Sequence, residues 1–182
     1  MIGIGDFMIE IRVHGRGGQG VVTISEILAI AGFKQGKYTQ AFPNFGPERR
    51  NAPVEAYCRV SDKFITLRTQ VYQPDYLIVL DDGLLKLNVT KGLKPHGAVV
   101  VNTKRDVKLP GFDVYRVDAS KIAIHAIGKP IVSTAMSGAF AITGLISLRN
   151  IIEAVKEKFP GEMAEQNILA VRTAYEECEK IS

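Results

Sequence analysis

The chain has 182 residues, 46% apolar and 23% charged, enough for one globular domain with a proper core. A formal charge of +4 is mild for this length. The basic residues are dispersed apart from Arg49-Arg50 and Lys104-Arg105, so the basic stripe or motif of a nucleic-acid binder is missing. No apolar run approaches a membrane span, and the start has neither the basic residues nor the apolar stretch of a secretory leader.

Residues 1–182 read as a single α/β domain, with Met1 to Asp6 a start-site extension ahead of the first strand. Phe7, Ile9, Ile11 and Val13 alternate with Met8, Glu10, Arg12 and His14, the period of a strand. Gly15, Arg16, Gly17, Gly18, Gln19 and Gly20 follow. Then Ile24, Ile27, Leu28 and Ala31 take up a helical period, and Gly32 stands where a helix C-terminal glycine belongs. Strand, glycine turn and helix form the first unit of a dinucleotide-type fold.

Each glycine has an expected task in that unit. Gly15 turns the chain off the strand, Gly17 lets backbone N–H groups approach a ligand, and Gly20 lets the helix pack on the strand. The first helical turn and its dipole then form an anion site, to which Arg16 adds a charge. The plainer reading is a tight turn and nothing more. A NAD site would want an acid roughly 20 residues further on. Lys34 to Phe42 contains none, which argues against NAD.

Lys37 to Phe42 reads as the second strand. Pro43 to Pro53 (PNFGPERRNAP) holds three prolines, a glycine and two asparagines, so it is a stiff loop at a strand end, where open α/β sheets bind ligands. Asn44, Phe45, Glu48, Arg49, Arg50 and Asn51 are its candidate residues, facing a subunit interface or an active site, an arginine reaching a phosphate or a carboxylate. A solvated surface loop is the plain alternative.

Val54 to Val60 alternates as a strand, and Phe64 to Leu67 reads as its hairpin partner, making the sheet mixed. Tyr76 to Leu80 is an apolar run typical of a buried strand. Asp81-Asp82 after it either caps a helix over Leu84 to Asn88, the favoured reading, or binds a metal. Strands are expected at Ala98 to Val101 and Phe112 to Val117. Asp118 or Ser120 is the N-cap of a helix to Ala126 on which His125 is a packing residue. The small residues of Ser133 to Gly144 suit close helix packing or close approach to a ligand, with a helix from Met136 to Leu145. Helices over Leu148 to Phe159 and Ala164 to Lys180 complete the chain.

Cys58 and Cys178 are the only cysteines. A cubane iron–sulfur cluster normally takes four thiolates, so this chain alone supplies none. His14, His96 and His125 are too scattered for a structural zinc site, and the two thiols read as reduced side chains of a cytoplasmic protein. No catalytic constellation is visible. The chemistry points to a binding domain or an enzyme subunit.

Three segments together carry a resemblance: HGRGGQG from His14, AFPNFGPERRNAPVEAYCRVSDKFI from Ala41 and QPDYLIVLDDGLL from Gln73. From Met8 onward the chain resembles the gamma subunit of the pyruvate and 2-ketoisovalerate ferredoxin oxidoreductases, multi-subunit enzymes of anaerobic metabolism. Asn51 stands where that family usually has glycine, and asparagine tolerates the positive φ such a glycine suggests.

The resemblance implies a Rossmann-like three-layer α/β fold with a mostly parallel sheet. It implies a complex that converts pyruvate, coenzyme A and oxidised ferredoxin into acetyl-CoA, carbon dioxide and reduced ferredoxin. Thiamine diphosphate is implied on alpha and beta subunits, iron–sulfur clusters on delta and beta, and no redox centre on gamma. Joined to the glycine turn, it makes Gly15 to Gly20 a candidate for the coenzyme A diphosphate. The alternatives are a purely structural subunit of the same complex, or a nucleotide-binding domain of another 2-oxoacid oxidoreductase.

Overall fold

Alternation along the first strand separates two chemistries. The computed structural model describes residues 8–44 and 51–181, and within it β1 runs Met8–Arg16. Ile9, Ile11 and Val13 face one side and join the main apolar cluster. Glu10, Arg12, His14 and Arg16 face the other, as strand geometry requires. Helix α1 (Val21–Lys34) covers the apolar side with Ile24, Ile27, Leu28 and Ala31, all fully buried. It ends two residues beyond the expected glycine, at a Gln35 cap followed by Gly36. Gly32 instead lies inside the helix, where a Cβ would come 2.8 Å from Thr39 Cγ2.

The chain then adds β2 (Tyr38–Pro43) and β3 (Pro53–Ser61), which returns antiparallel between β2 and β1. β4 (Tyr76–Val79), β5 (Ala98–Asn102) and β6 (Asp113–Val117) continue parallel on the far side of β1, and β7 (Glu179–Lys180) closes that edge antiparallel. The order β2-β3-β1-β4-β5-β6-β7 is the mixed α/β sheet expected, with a parallel centre. Its hairpin is formed differently. Both edges of β3 are occupied, by β2 and by β1, so Phe64 to Leu67 has no edge to pair with and runs as irregular chain. The sheet changes direction of growth at β1, which puts a topological switch point at the carboxyl ends of β1 and β4.

Helices α2 (Ala119–Ile127), α3 (Ser133–Phe140), α4 (Leu148–Lys158) and α5 (Gly161–Glu177) share the apolar cluster of α1. Asp118 caps α2 by accepting from Lys121 N. Every residue of α3 is buried, and a Cβ on Gly138 would lie 2.1 Å from the Val171 carbonyl oxygen, so the small residues serve close packing of α3 on α5. α3 starts and stops earlier than expected and passes into a 3₁₀ turn over Ala141–Thr143, while α5 stops before β7. His125 is exposed, not packed as expected.

The opposite layer is a 3₁₀ helix (Asp82–Leu87) and irregular chain. Leu84, Val89 and Leu93 cover Leu77, Val79, Val99, Val101 and Val114 of the right half of the sheet. Over β1 and β3 this layer meets charged side chains instead.

Candidate functional site

The glycine turn lies at the switch point and joins the end of β1 to the start of α1. Gly15 is still within β1, paired with Val54. A Cβ on it would sit 2.5 Å from Val21 Cγ2, so Gly15, not Gly20, allows the close strand–helix contact. Gly20 is the N-cap of α1 at φ 84°, a left-handed conformation, and a Cβ there would meet Ser133 of α3 at 2.8 Å. Gly18 has φ 93° and is exposed.

Several groups of the turn are already engaged. Gly17 N donates to Ala52 O at 3.0 Å, so this N–H is turned to the segment just before β3 and not to a ligand. Gln19 N donates to Arg16 O, and Gln19 Oε1 accepts from Arg16 N at 2.7 Å. The first intrahelical bond runs from Ile24 N to Gly20 O. The N–H groups of Val21, Val22 and Thr23 therefore have no partner within the helix and, with the dipole, favour an anion at that end. Val22 is 40% exposed there.

Arg16 points away from α1. Its Nε donates to Asp81 Oδ2 at 2.7 Å, and its Nη1 to Asn51 O at 3.1 Å. Its charge is thus met by a carboxylate from the end of β4. Asp81 also accepts from Gly83 N and caps the 3₁₀ helix. Asp82 accepts from Thr103 Oγ1 and from Arg105. Burial pushes the Asp82 carboxyl up, but the hydrogen bonds from Thr103 and Arg105 and the charges of Arg105 and Lys86 outweigh it and hold the pKa below the ordinary value. The two aspartates are a cap and an anchor.

Beside this junction, on the face away from the helices, is a cleft of about 750 Å³. Arg12, His14 and Glu55 form part of its wall, with Leu84, Leu87, Pro53 and Val54 the apolar part. Arg12 Nε donates to His14 Nε2 at 3.0 Å, and its Nη2 donates to Val89 O and Lys91 O at 2.8 and 2.6 Å. His14 Nδ1 faces Glu55 Oε1 at 3.4 Å. Glu55 accepts from Tyr57 Oη at 2.8 Å. Burial drives the His14 pKa down to about 4; Glu55 opposes the shift and Arg12 adds to it, so the imidazole is neutral. Burial also lowers Arg12 and, with the hydrogen bond to Glu55, raises Tyr57. On the next pair of positions Arg59, fully buried, donates to Glu10 at 2.9 Å and to Thr69 O at 2.7 Å.

Alternation along β1 predicts a strand and does not reveal this network. The signal lies in the register: Glu10 stands opposite Arg59, and His14 opposite Glu55. Of the loop residues singled out, Asn44 lines the cleft and Asn51 adopts φ 65°, the conformation expected of a glycine replacement. Phe45, Glu48, Arg49 and Arg50 lie outside the described residues, as does the Met1 to Asp6 extension.

Among the described residues no group of three or more His, Cys, Asp or Glu could hold a metal ion. Cys58 is fully buried, and burial pushes its thiol up to about 12, far from a thiolate ligand at neutral pH. Among the described residues, no helix is long and apolar enough to cross a membrane.

A family model described as pyruvate ferredoxin/flavodoxin oxidoreductase matches residues 10–177. The chain is 53% identical over 176 residues to pyruvate synthase subunit PorC of Methanothermobacter thermautotrophicus, covering 96% of this chain and 98% of that one. It is 49% identical over 181 residues to the pyruvate/ketoisovalerate oxidoreductases common subunit gamma of Pyrococcus furiosus, covering 94% and 98%. The crystal structure of pyruvate oxidoreductase subunit PORC from Thermotoga maritima superposes with a TM-score of 0.85 at 36% identity, over 96% and 99% of the two chains.

Proposed function

The chain belongs to the pyruvate ferredoxin/flavodoxin oxidoreductase family as a gamma-type subunit of a multi-subunit pyruvate:ferredoxin oxidoreductase, and we propose that its part in that enzyme is to hold the diphosphate of coenzyme A at the N-terminus of α1. The enzyme oxidatively decarboxylates pyruvate with coenzyme A to acetyl-CoA and carbon dioxide and passes the electrons to ferredoxin. The open first turn of α1 at the switch point supports this reading: three N–H groups without an intrahelical partner, beside the exposed Gly18. Coenzyme A is polyanionic, so its binder needs N–H donors and positive potential more than the acid a NAD ribose requires.

The working parts of the site are narrower than Gly15, Arg16, Gly17, Gly18, Gln19 and Gly20 taken together. Gly18, Gly20 and the amides of Val21 to Thr23 face the anion. Gly15 and Gly17 shape the turn, and Gln19 pins it through the Arg16 amide. Arg16 orients the junction with Asp81. The loop from Asn44 to Asn51, Arg49 and Arg50 included, lies at a subunit interface or beside the active site. Thiamine diphosphate sits on alpha and beta subunits and iron–sulfur clusters on beta and delta, in a cytoplasmic complex. Thiamine diphosphate supplies the carbanion chemistry that cleaves the 2-oxoacid.

Val22→Asp tests the site in the assembled enzyme. An acid in the first turn favours the helix and repels a bound phosphate. The KM for coenzyme A should rise about tenfold, equivalent to roughly 1.4 kcal/mol of lost anion attraction. The KM for pyruvate and the melting temperature should hold, and Val22→Asn should behave nearly as wild type. Unchanged coenzyme A kinetics in Val22→Asp would leave the turn a purely structural element of the complex.

A further inference from the structure

Residues 62–73 cross the left half of the sheet as irregular chain, and their backbone is fastened from beneath. Arg59 donates to Thr69 O at 2.7 Å and to Gln70 O at 3.4 Å, and Arg12 donates to Val71 O at 3.4 Å. Gln40 Nε2 donates to Leu67 O, and Gln70 Nε2 donates to Asn44 Oδ1. Near the far end the strap presses on the segment after the 3₁₀ helix, where a Cβ on Gly92 would come 2.2 Å from Tyr72 O. A connection this long without secondary structure is uncommon, and when ordered it usually has a function. Here two buried guanidinium groups hold it in place.

With those carbonyls turned inward, the outer surface is made of side chains. Phe64 is 75% exposed, Tyr72 68% and Leu67 43%. Tyr38 of the edge strand stands against the Phe64 ring, with centroids 6.1 Å apart, and Leu87 of the same layer is also exposed. Arg68, Lys86 and Lys91 are exposed within this layer, and the exposed Asp62 of the strap is ion-paired to Lys37, so the rim of the apolar groups is basic on balance. Large apolar groups concentrated on an ordered surface mark an interaction site. Aromatic residues and arginine are the types that anchor protein interfaces.

We propose that the 62–73 strap, with Tyr38 and Leu87, is the surface by which this chain docks onto another subunit of its oxidoreductase, one that presents an apolar seat edged with carboxylates. The occupant follows from membership of a multi-subunit enzyme and from the charge of the rim. A gamma-type relative is named as common to two oxidoreductases. An ordered, mainly apolar surface whose exposed charges are mostly basic suits that use, because it demands few specific pairings from the partner. The strap is a separate feature from the open turn of α1, and its role stands whether or not that turn binds coenzyme A.

The test introduces acids at the centre of the surface, Phe64→Asp together with Tyr72→Asp, in the co-expressed complex. Met163→Asp with Leu169→Asp, about half exposed on α5, is the control. Native mass spectrometry should find retention of the strap variant in the complex lowered about tenfold or more, and the control retained. Retention of both variants, or loss of both, overturns the proposal. So does a free chain that dimerises through the strap while the complex still forms. Hydrogen exchange on the wild-type protein decides independently of how the variants fold. Amides of 62–73 should be protected in the complex relative to the free chain, and equal exchange in both states refutes the docking.

Discussion

On one face of β1, Ile11 and Val13 are fully buried in the apolar cluster that α1 to α5 share. On the other, Arg12 and His14 are buried almost as deeply, against backbone carbonyls of irregular chain and against Glu55. The first face is held by area removed from water, which is indifferent to direction. The second is held by directed hydrogen bonds, which fix where each covering segment lies. A helix brings its own backbone hydrogen bonds and needs only an apolar stripe beneath it. The strap at 62–73 has no such internal ladder, so Arg12 and Arg59 satisfy its carbonyls from below. The helical face therefore provides stability, and the charged face provides placement of irregular chain around the cleft.

Removing a charge from the second face should have the largest effect. Arg59→Met leaves Glu10 unpaired and two carbonyls without a donor, and should cost about 3–5 kcal/mol in urea denaturation of the free chain. A cost below about 1 kcal/mol would mean that the strap is held by its other contacts.

His14 adds a pH signature that the helical face lacks. Its pKa is depressed from 6.5 to about 4 in the folded chain, so the unfolded chain binds the proton more tightly. The sign follows: this contribution is complete above pH 6.5 and is lost as pH falls toward 4. The loss is on the order of 3 kcal/mol. Denaturation at a series of pH values should show this slope in wild type and a weaker one in His14→Gln. Equal slopes would place the acid sensitivity elsewhere.

On the helical face, Gly138→Ala should cost about 1–3 kcal/mol, because the added methyl meets the Val171 backbone and α3 must move off α5. The smallest effect is expected at a helix end. Asp118→Ala removes the α2 cap and should cost about 1 kcal/mol, visible as a lower melting temperature with the complex otherwise intact.

The helical face was largely legible in the sequence and the charged face was not. Ile24, Ile27, Leu28 and Ala31 announce α1 by spacing alone, and Asp118 and the Asp81 cap follow from local side-chain chemistry. Asn51 was legible too, since a residue replacing glycine at positive φ leaves a short choice. Charged residues alternating with apolar ones in β1 look the same whether they meet water or a buried partner. Only the β1–β3 register distinguishes the two, and it depends on β3 lying between β1 and β2. The same pairing explains Phe64 to Leu67, whose composition suits a strand that finds no free edge. Gly17 was assigned to a ligand because its spacing fits. Its N–H reaches Ala52, a partner fixed by the path of the chain around Asn51.

The proposed function requires the open turn at the start of α1 to face coenzyme A in the assembled enzyme. Hydrogen exchange of the amides of Gly18 to Thr23 in the complex, with and without coenzyme A, tests it directly. The expected result is slower exchange at Gly18 and at Gly20 to Thr23 when coenzyme A is present, with the Gly17 and Gln19 amides, already bonded to Ala52 and Arg16, unchanged. Exchange at Gly18 and at Gly20 to Thr23 that is indifferent to saturating coenzyme A would contradict the proposed role and leave the turn a packing element.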